Sequence, residues 1–540
     1  MKFVKLRVYI VFLILMASFA GLGHTLYQIS NKSEYIQAAE QQSTYKLNVA
    51  HSRGIIYDCN IKPLVSKSSR RLASVAPTIE AVAYLNSLST GGNYSIFSQA
   101  LENGKPFLLE VEEELIHDDI MSFEAPVRYS GNQPAPHIVG YLDSLGNGAS
   151  GIELAMNDVL SNQSGEISVY YHTDAMGRVL PGDTPRVKNS IKRGNSGISL
   201  TIDESLQLTV QKYGKRLGRG AVVVTEAPSC KILALASFPD FSPASIQDVA
   251  ADGDSPLINR AFSAYSPGSV FKLVTAAEQL EEGSLDYEYN CTGSISVDGM
   301  EFHCINGYGH GKVSLDTAVE KSCNCYFISM ASKLGGQAVL KMAYNMGLGT
   351  GLEFGSGLFS SAGSMPSAAE LSNKRALANF SFGQGSLTVT PLQIAGVINT
   401  IASYGEYSTP KLISGYIDDN WGFSPYKNDL NGTMRVMSAS SAGLLQEYME
   451  EAVKNGTGKI GASENYISGA KTGTAQTGQY SGDRELNHYW YAGYIRDKSG
   501  RPKYSIVVFR EAVAEDQGVT AEIFKEIAEY LTEQSDAGKE

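Results

Sequence analysis

An α+β fold, with an antiparallel sheet covered by helices, is predicted for the C-terminal part of this 540-residue chain. Three observations carry that prediction. The apolar runs Ala221-Val222-Val223-Val224 and Ile232-Leu233-Ala234-Leu235 flank Pro228-Ser229 and read as a strand hairpin. Tyr491-Ala492-Gly493-Tyr494-Ile495 and Tyr504-Ser505-Ile506-Val507-Val508-Phe509 read as two further strands. Ile523, Ile527 and Leu531 recur every four residues, the apolar stripe of a final amphipathic helix.

The totals narrow the function classes. A chain that is 43% hydrophobic and 19% charged is globular rather than disordered. With 56 acidic against 44 basic side chains the net charge is −12, which argues against a nucleic-acid partner. Six cysteines in this length exclude a disulfide-built scaffold.

In chain order, Lys2, Lys5 and Arg7 precede a stretch free of Asp, Glu, Lys and Arg from Val8 to Asn31, densely apolar to Leu22. About twenty such residues span the hydrocarbon of a bilayer. The bias of basic residues predicts a cytoplasmic tail (1–7), a membrane anchor (8–29) and an exported remainder, hence a single-pass protein of the cell membrane. The competing reading is a cleaved signal peptide with Ser18-Phe19-Ala20 as its small-x-small site. Residues 30–60 form a polar stem leading to a strand-like Gly54-Ile55-Ile56-Tyr57. Residues 61–195 alternate short strand-like segments with turns such as Leu145-Gly146-Asn147-Gly148 and Arg193-Gly194-Asn195-Ser196-Gly197, and show no sustained helical pattern. This predicts an extended, mostly-β membrane-proximal pedestal over 30–195 and a second domain over 196–540. Within the latter, Leu273 to Leu280 reads as a helix stopping at Gly283.

Three short motifs carry chemistry. In Ser266-Pro267-Gly268-Ser269-Val270-Phe271-Lys272, Pro and Gly before a helical pattern place Ser269 near a helix N-terminus, where free N–H groups favour developing negative charge. Lys272, three residues on, shares its face, and a neutral lysine can remove the serine proton. Taken alone, this spacing also fits a capped surface helix. In Ser322-Cys323-Asn324 a hydroxyl and an amide two apart can point the same way, suited to a proton relay and a hydrogen bond to a substrate amide; alone it equally fits a cap or turn. In Lys471-Thr472-Gly473-Thr474-Ala475 an edge-strand glycine would leave room for a substrate backbone, the lysine supplies charge, and the threonines supply hydroxyls for a carboxylate. Alone it reads as a basic turn between strands.

Together and in this order the motifs resemble the S-x-x-K, S-x-N and K-T-G signature of the penicillin-binding protein and serine β-lactamase superfamily, most closely class B penicillin-binding proteins, the monofunctional D,D-transpeptidases. Thr201-Ile202-Asp203, Asn259-Arg260-Ala261, Gly383-Gln384-Gly385 and Thr390-Pro391-Leu392-Gln393 are similar to further family segments. Arg53-Gly54, Arg128-Tyr129, His137 with Gly140, and Gly151-Ile152-Glu153 resemble the family's N-terminal module. The resemblance implies that Ser269 attacks a D-Ala-D-Ala carbonyl of a peptidoglycan stem peptide, with Lys272 as base and Ser322 as proton relay. Asn324 would hold the donor amide and Lys471 would fix Ser322 and the substrate. Thr472, Gly473 and Thr474 would receive the substrate, and the N–H groups of Ser269 and Thr474 would form the oxyanion hole. It also implies β-lactam inhibition, peptidoglycan stem peptides or their lipid-linked precursor as substrate, and a polytopic glycan polymerase as membrane partner.

The alternatives are a D,D-carboxypeptidase, with water as acceptor, or a β-lactam sensor without turnover. A class A β-lactamase is disfavoured because no E-x-x-L-N lies between Asn324 and Lys471. Cys291, His303, Cys304, His310, Cys323 and Cys325 crowd one region, but their spacing fits no zinc pattern, and neither metal nor cofactor is expected. Export leaves Cys291 and Cys304 open between a disulfide and free thiols.

Overall fold

The computed structural model describes residues 2–32, 43–88, 94–192, 194–249, 253–305, 307–427 and 432–537; residues 33–42 of the polar stem and Arg193 of the predicted linker lie outside them. The N-terminal helix α1 (Lys2–Ser30) carries the basic–apolar pattern noted above and is long and apolar enough to cross a membrane.

The rest falls into two compact units that interleave along the chain: Met1–Arg53, Ser68–Arg128 and Ser164–Arg193 in one, Gly54–Lys67, Tyr129–Gln163 and Gly194–Glu540 in the other. The sequence suggests one boundary at 195/196. The interleaving has a plain physical cause. The short strand β1 (Ile55–Tyr57) pairs in parallel with β2 (Gly197–Leu200), which draws the early segment into the larger unit.

The smaller unit has two three-stranded antiparallel sheets. Strand Gly165–His172 lies between Thr44–Ser52 and Arg186–Asn189 in one, and Ser68–Val75 lies between Phe107–Glu110 and Ile120–Val127 in the other. It also contains two ten-residue helices, Ile79–Leu88 and Tyr94–Asn103, absent from the sequence reading. The first buries only Ala81, Val82 and Leu85, too few residues for an apolar repeat to stand out.

The larger unit is built on a five-stranded antiparallel sheet. Its strands are β3 (Gly220–Glu226) and β4 (Lys231–Phe238), then, after several short strands of which four are labelled here, β9 (Ser468–Ser481), β10 (Arg484–Arg496) and β11 (Pro502–Val513), in the order β4-β3-β11-β10-β9. The labelled short strands are β5 (Tyr289–Cys291), β6 (Ser294–Val297), β7 (Met300–His303) and β8 (Gly311–Val313). The helices used below are α2 (Glu204–Gly214), α3 (Lys272–Glu281), α4 (Asn324–Leu334), α5 (Pro391–Ala402), α6 (Ala439–Lys454) and α7 (Val519–Ala537).

Strand alternation explains the layers. Val222, Val224, Tyr491, Ile506 and Val508 meet Leu206 and Val210 of α2 and Ile523, Ile527 and Leu531 of α7 on one face. Val223, Trp490, Ala492, Val507 and Phe509 meet the helical core of α3, α4, α5 and α6 on the other. Each fully buried Val, Ile or Phe contributes about 1.5–3 kcal/mol, so both faces must be covered, and the near-continuous apolar runs of β3 and β11 follow from that. The predicted hairpin, the two C-terminal strands and the final helix all lie where the pattern places them. Strand β9 is the edge of the sheet, so its outer side is free to meet other chain segments.

Candidate active site

The first motif is a turn held from three directions. Tyr265 and Val389 exchange backbone hydrogen bonds at 2.8 Å, Trp490 Nε1 donates to Ser266 O at 3.1 Å, and Gly268 N donates to Gly383 O at 2.9 Å. Gly268–Phe271 form a 3₁₀ turn that runs into α3, with Ser269 at its second position. Side chains three apart nearly eclipse in a 3₁₀ turn, so Ser269 and Lys272 share one face. Gly268 has φ +54°, and a Cβ there would stand 2.3 Å from Thr474 O. Only glycine lets the serine turn approach β9 so closely.

Lys272 is fully buried. Its Nζ donates to Ser322 O at 2.8 Å, Ser322 Oγ at 3.0 Å and Asn324 Oδ1 at 2.6 Å. Burial pushes its pKa down to about 7, against weaker opposition from the thiols of Cys323, Cys304 and Cys325. Ser269 is 5% exposed, and its hydroxyl has no hydrogen-bond partner among the described residues.

The second motif meets that amine because its backbone bends sharply. Ser322 has φ +55°, a left-handed conformation costing a non-glycine residue about 1 kcal/mol or more, and Asn324 then opens α4. The bend turns the Ser322 carbonyl and hydroxyl and the Asn324 amide onto Lys272. Asn324 Nδ2 donates to His303 O at 2.8 Å, which fixes the amide orientation. Cys323, between them, is buried, its Sγ 3.8 Å from that of Cys304.

The third motif lies on the edge strand β9, where Lys471, Gly473 and Ala475 are buried, Thr474 is exposed and Thr472 is half-buried. Lys471 Nζ donates to Thr472 O at 3.1 Å and makes no hydrogen bond to Ser322, contrary to the expectation that it fixes that serine. Burial first, and the charge of Lys272 second, hold its pKa well below the usual lysine range. The side-chain position of Gly473 is filled: a Cβ there would stand 2.8 Å from Val270 Cγ2 and 2.9 Å from Pro267 O. The glycine instead allows close packing of the serine turn, because strand alternation directs position 473 inward.

Sequence reasoning missed Thr457, whose Oγ1 accepts from Thr472 Oγ1 at 3.0 Å. Its loop is anchored by Tyr491, whose OH donates to Gly458 O at 2.7 Å. The glycine-rich 455–459 segment was the available signal. The cysteines form a second departure. Sγ of Cys291, Cys304 and Cys323 and the His310 ring lie within 4.8 Å of one another, and all six cysteines are free thiols. The expectation of no metal-like grouping rested on spacing. The fold overrides it by drawing these residues from two ribbons and a helix start.

A serine near a helix start, a buried lysine, a Ser/Asn pair and a Lys-Thr-Gly edge strand make up the residue set of the serine acyl-transfer signature. A family profile described as penicillin binding protein transpeptidase domain matches residues 220–529, more than half of the chain. The chain belongs to this penicillin-binding protein family, in its class B form. It is 28% identical over 369 residues to stage V sporulation protein D of Bacillus subtilis, covering 65% of this chain and 55% of that one. It is 31% identical over 370 residues to penicillin-binding protein PbpB of Mycobacterium tuberculosis, covering 65% and 52%. The match thus spans about half the length of these relatives. The fold is also that of penicillin-binding protein 3 of M. tuberculosis, crystallised with aztreonam, with TM-score 0.66, 23% identity, and coverage of 91% of this chain and 97% of that one.

Proposed function

We propose that this protein is a peptidoglycan D,D-transpeptidase that cross-links stem peptides through an acyl-enzyme on Ser269. The observation that carries the reading is the buried Lys272 amine, hydrogen-bonded to Ser322 and Asn324 and sharing a face with Ser269. A lysine held near neutrality can act as a base at physiological pH, which an exposed lysine cannot. The relatives named as D,D-transpeptidases, such as MrdA of Acinetobacter baumannii at 26% identity, support the same chemistry.

In this mechanism Ser269 Oγ attacks the carbonyl carbon between two terminal D-alanines, and its proton passes to Lys272 Nζ. That contact tightens only when substrate enters, as is common for catalytic hydrogen bonds. The N–H groups of Ser269 and Thr474 receive the oxyanion, an interaction commonly worth about 3 kcal/mol. The C–N bond then breaks, the proton reaching the departing D-alanine nitrogen through Ser322 Oγ. An amine from a second stem peptide attacks the ester carbonyl; its C–N bond forms, the C–O bond to Ser269 breaks, and the proton returns to the serine. Asn324 holds the donor amide, Gly473 keeps β9 against the serine turn, and Lys471, Thr472 and Thr474 meet the terminal carboxylate. That anion would restore positive charge on Lys471, opposing the effect of burial.

The basic residues at the start of α1 support a cytoplasmic N-terminus and an extracytoplasmic catalytic unit. A polytopic glycan polymerase in the same membrane is the partner such a single-pass transpeptidase requires for fresh glycan strands.

The test is labelling with a fluorescent penicillin followed by product analysis. Wild type should acylate and Ser269→Ala should not; equal labelling of both would overturn the nucleophile assignment. On a stem-peptide substrate with an acceptor amine, cross-linked dimer supports transpeptidation. Trimmed monomer alone would make the protein a carboxypeptidase, and acylation without any turnover would make it a sensor.

A further inference from the structure

The larger unit carries a cavity of about 620 Å³ that no residue of the three motifs lines. Ordinary ligand sites measure about 300–1,000 Å³. Its wall combines aromatic rings with polar groups that lack partners. His137 is 8% exposed and meets Phe241 edge to face, with ring centroids 4.8 Å apart. Its Nε2 donates to Pro256 O at 2.7 Å, which leaves Nδ1 an acceptor without a partner among the described residues. Burial pushes the imidazole pKa down to about 4, so the ring is neutral. Ser150 Oγ accepts from Tyr141 N at 3.3 Å and Ser361 Oγ from Gly363 N at 3.0 Å, so each hydroxyl keeps its own proton to donate. Asn259 Oδ1 accepts from Ala261 N at 3.1 Å, whereas its Nδ2 is buried with no partner. Phe359, 68% exposed, also lines the cavity.

We propose that this cavity binds an uncharged N-acetylhexosamine of the glycan strand that bears the donor stem peptide, a reading that rests on the transpeptidase function above. Among the described residues no Asp, Glu, Lys or Arg lines the cavity, although the chain carries a net charge of −12, so the wall suits a neutral occupant. A lipid tail or an apolar side chain would leave His137 Nδ1, Asn259 Nδ2 and two serine hydroxyls dry and unpaired, which is costly. A sugar answers both halves of the wall. Its hydroxyls and acetamide supply donors and acceptors for these groups, and the C–H face of a pyranose packs on electron-rich ring faces such as those of Tyr141 and Phe359.

The position suits a single substrate molecule. Ser263 and Ala264 belong to the wall and stand six and five residues before Ser269. Ser263 Oγ donates to Asn259 O at 3.0 Å, which ties the wall to the segment entering the serine turn. At about 3.6 Å per residue, Ala264 is at most about 18 Å from Ser269, and a stem of about four residues spans about 14 Å. The stem peptide is thus long enough to join a sugar in the cavity to a carbonyl at the serine.

The experiment uses the full-length chain in detergent. Chitotriose, an uncharged N-acetylhexosamine trimer, is followed by saturation-transfer NMR on chain already acylated by penicillin, so that the serine site is occupied. Wild type should bind it. Phe359→Ala, which removes a ring face, and Ala149→Trp, which fills the cavity from an exposed lining residue, should each weaken binding about threefold or more. The KM for a disaccharide-pentapeptide donor should lie about tenfold below that for the free pentapeptide, the gain expected of a second tethered contact. Both variants should close that gap and leave penicillin acylation, which involves no sugar, unchanged. Absence of chitotriose binding overturns the site, as does binding that neither variant weakens. A KM advantage of the disaccharide that survives in both variants overturns it as well, and so does binding of indole with no binding of chitotriose. Sugar binding is read on blocked enzyme, so loss of the transpeptidase reading would leave that result intact, and loss of sugar binding would leave the acyl-enzyme chemistry intact.

Discussion

Asn324 joins two elements through one amide: its Oδ1 accepts from Lys272 Nζ at 2.6 Å while its Nδ2 donates to His303 O at 2.8 Å. Carbonyl and amino ends are thus assigned by their partners, and the side chain cannot turn without losing both bonds. The motif asparagine thereby connects the ribbon carrying His303 to the lysine, besides any direct contact with substrate.

Asn324→Ala is therefore expected to slow acylation by losing the lysine's position. A hydrogen bond to a charged or charge-bearing group is worth about 1.5–3 kcal/mol, or roughly a 10- to 150-fold fall in the second-order rate constant. Asn324→Asp should behave differently, because a carboxylate beside Lys272 raises the lysine pKa and shifts the rate profile to higher pH. Stopped-flow acylation by a fluorescent penicillin over a pH series separates the two variants.

Wild-type acylation should itself depend on pH through Lys272. Burial lowers this amine to about 7, and only its neutral form can take the Ser269 proton. The rate should rise about tenfold per unit below pH 7 and level off above it, the profile of a single base. A rate independent of pH between 5.5 and 8 would remove Lys272 from that role. Lys272→Arg, charged throughout this range, should show no acylation at any of these values.

Much of this was legible in the chain itself. The hairpin at 220–238 and the stripe Ile523, Ile527, Leu531 are local periodicities, and periodicity survives in sequence because each residue's face depends only on its neighbours. The partners of Lys272 lie 50 and 52 residues away and depend on a left-handed serine that no propensity predicts. The packing at Gly473 was not legible, because the sequence marks a missing side chain without marking that Val270 and Pro267 fill the gap. The cysteine grouping was missed for a related reason: its spacing reflects two ribbons and a helix start rather than one metal-binding loop.

Gly268→Ala tests the close approach of the serine turn to β9. The new methyl would stand 2.3 Å from Thr474 O, and the backbone is left-handed at φ +54°. Conformational strain alone costs about 1 kcal/mol, and relief of the clash requires the turn and strand to part. That would part Ser269 N–H and Thr474 N–H, the proposed oxyanion donors. Acylation should fall by about two orders of magnitude, the scale of a lost oxyanion donor. Melting temperature should drop by only a few degrees in a chain of this size. Near-wild-type acylation would mean that the approach is not needed to build the oxyanion site.

The pair Arg260 and Glu511 provides a stability test remote from the reacting atoms. Arg260 is 1% exposed and donates through Nε to the Glu511 carboxylate, while its remaining donors reach Ser255 O and Asp254 O. Glu511 lies near the C-terminal end of β11 and also pairs with Arg219. Glu511→Ala strands a buried guanidinium charge, which costs about 3–5 kcal/mol, far more than loss of an exposed ion pair. The expected result is a clearly lowered midpoint in denaturant. Acylation per folded molecule should change little, because neither side chain contacts the serine, lysine or asparagine of the motifs. Arg260→Met together with Glu511→Leu removes both charges and should recover much of the stability lost by the single change. Absence of that recovery would show that the pair's hydrogen bonds to the 254–255 backbone, rather than its charge balance, hold this loop against the sheet.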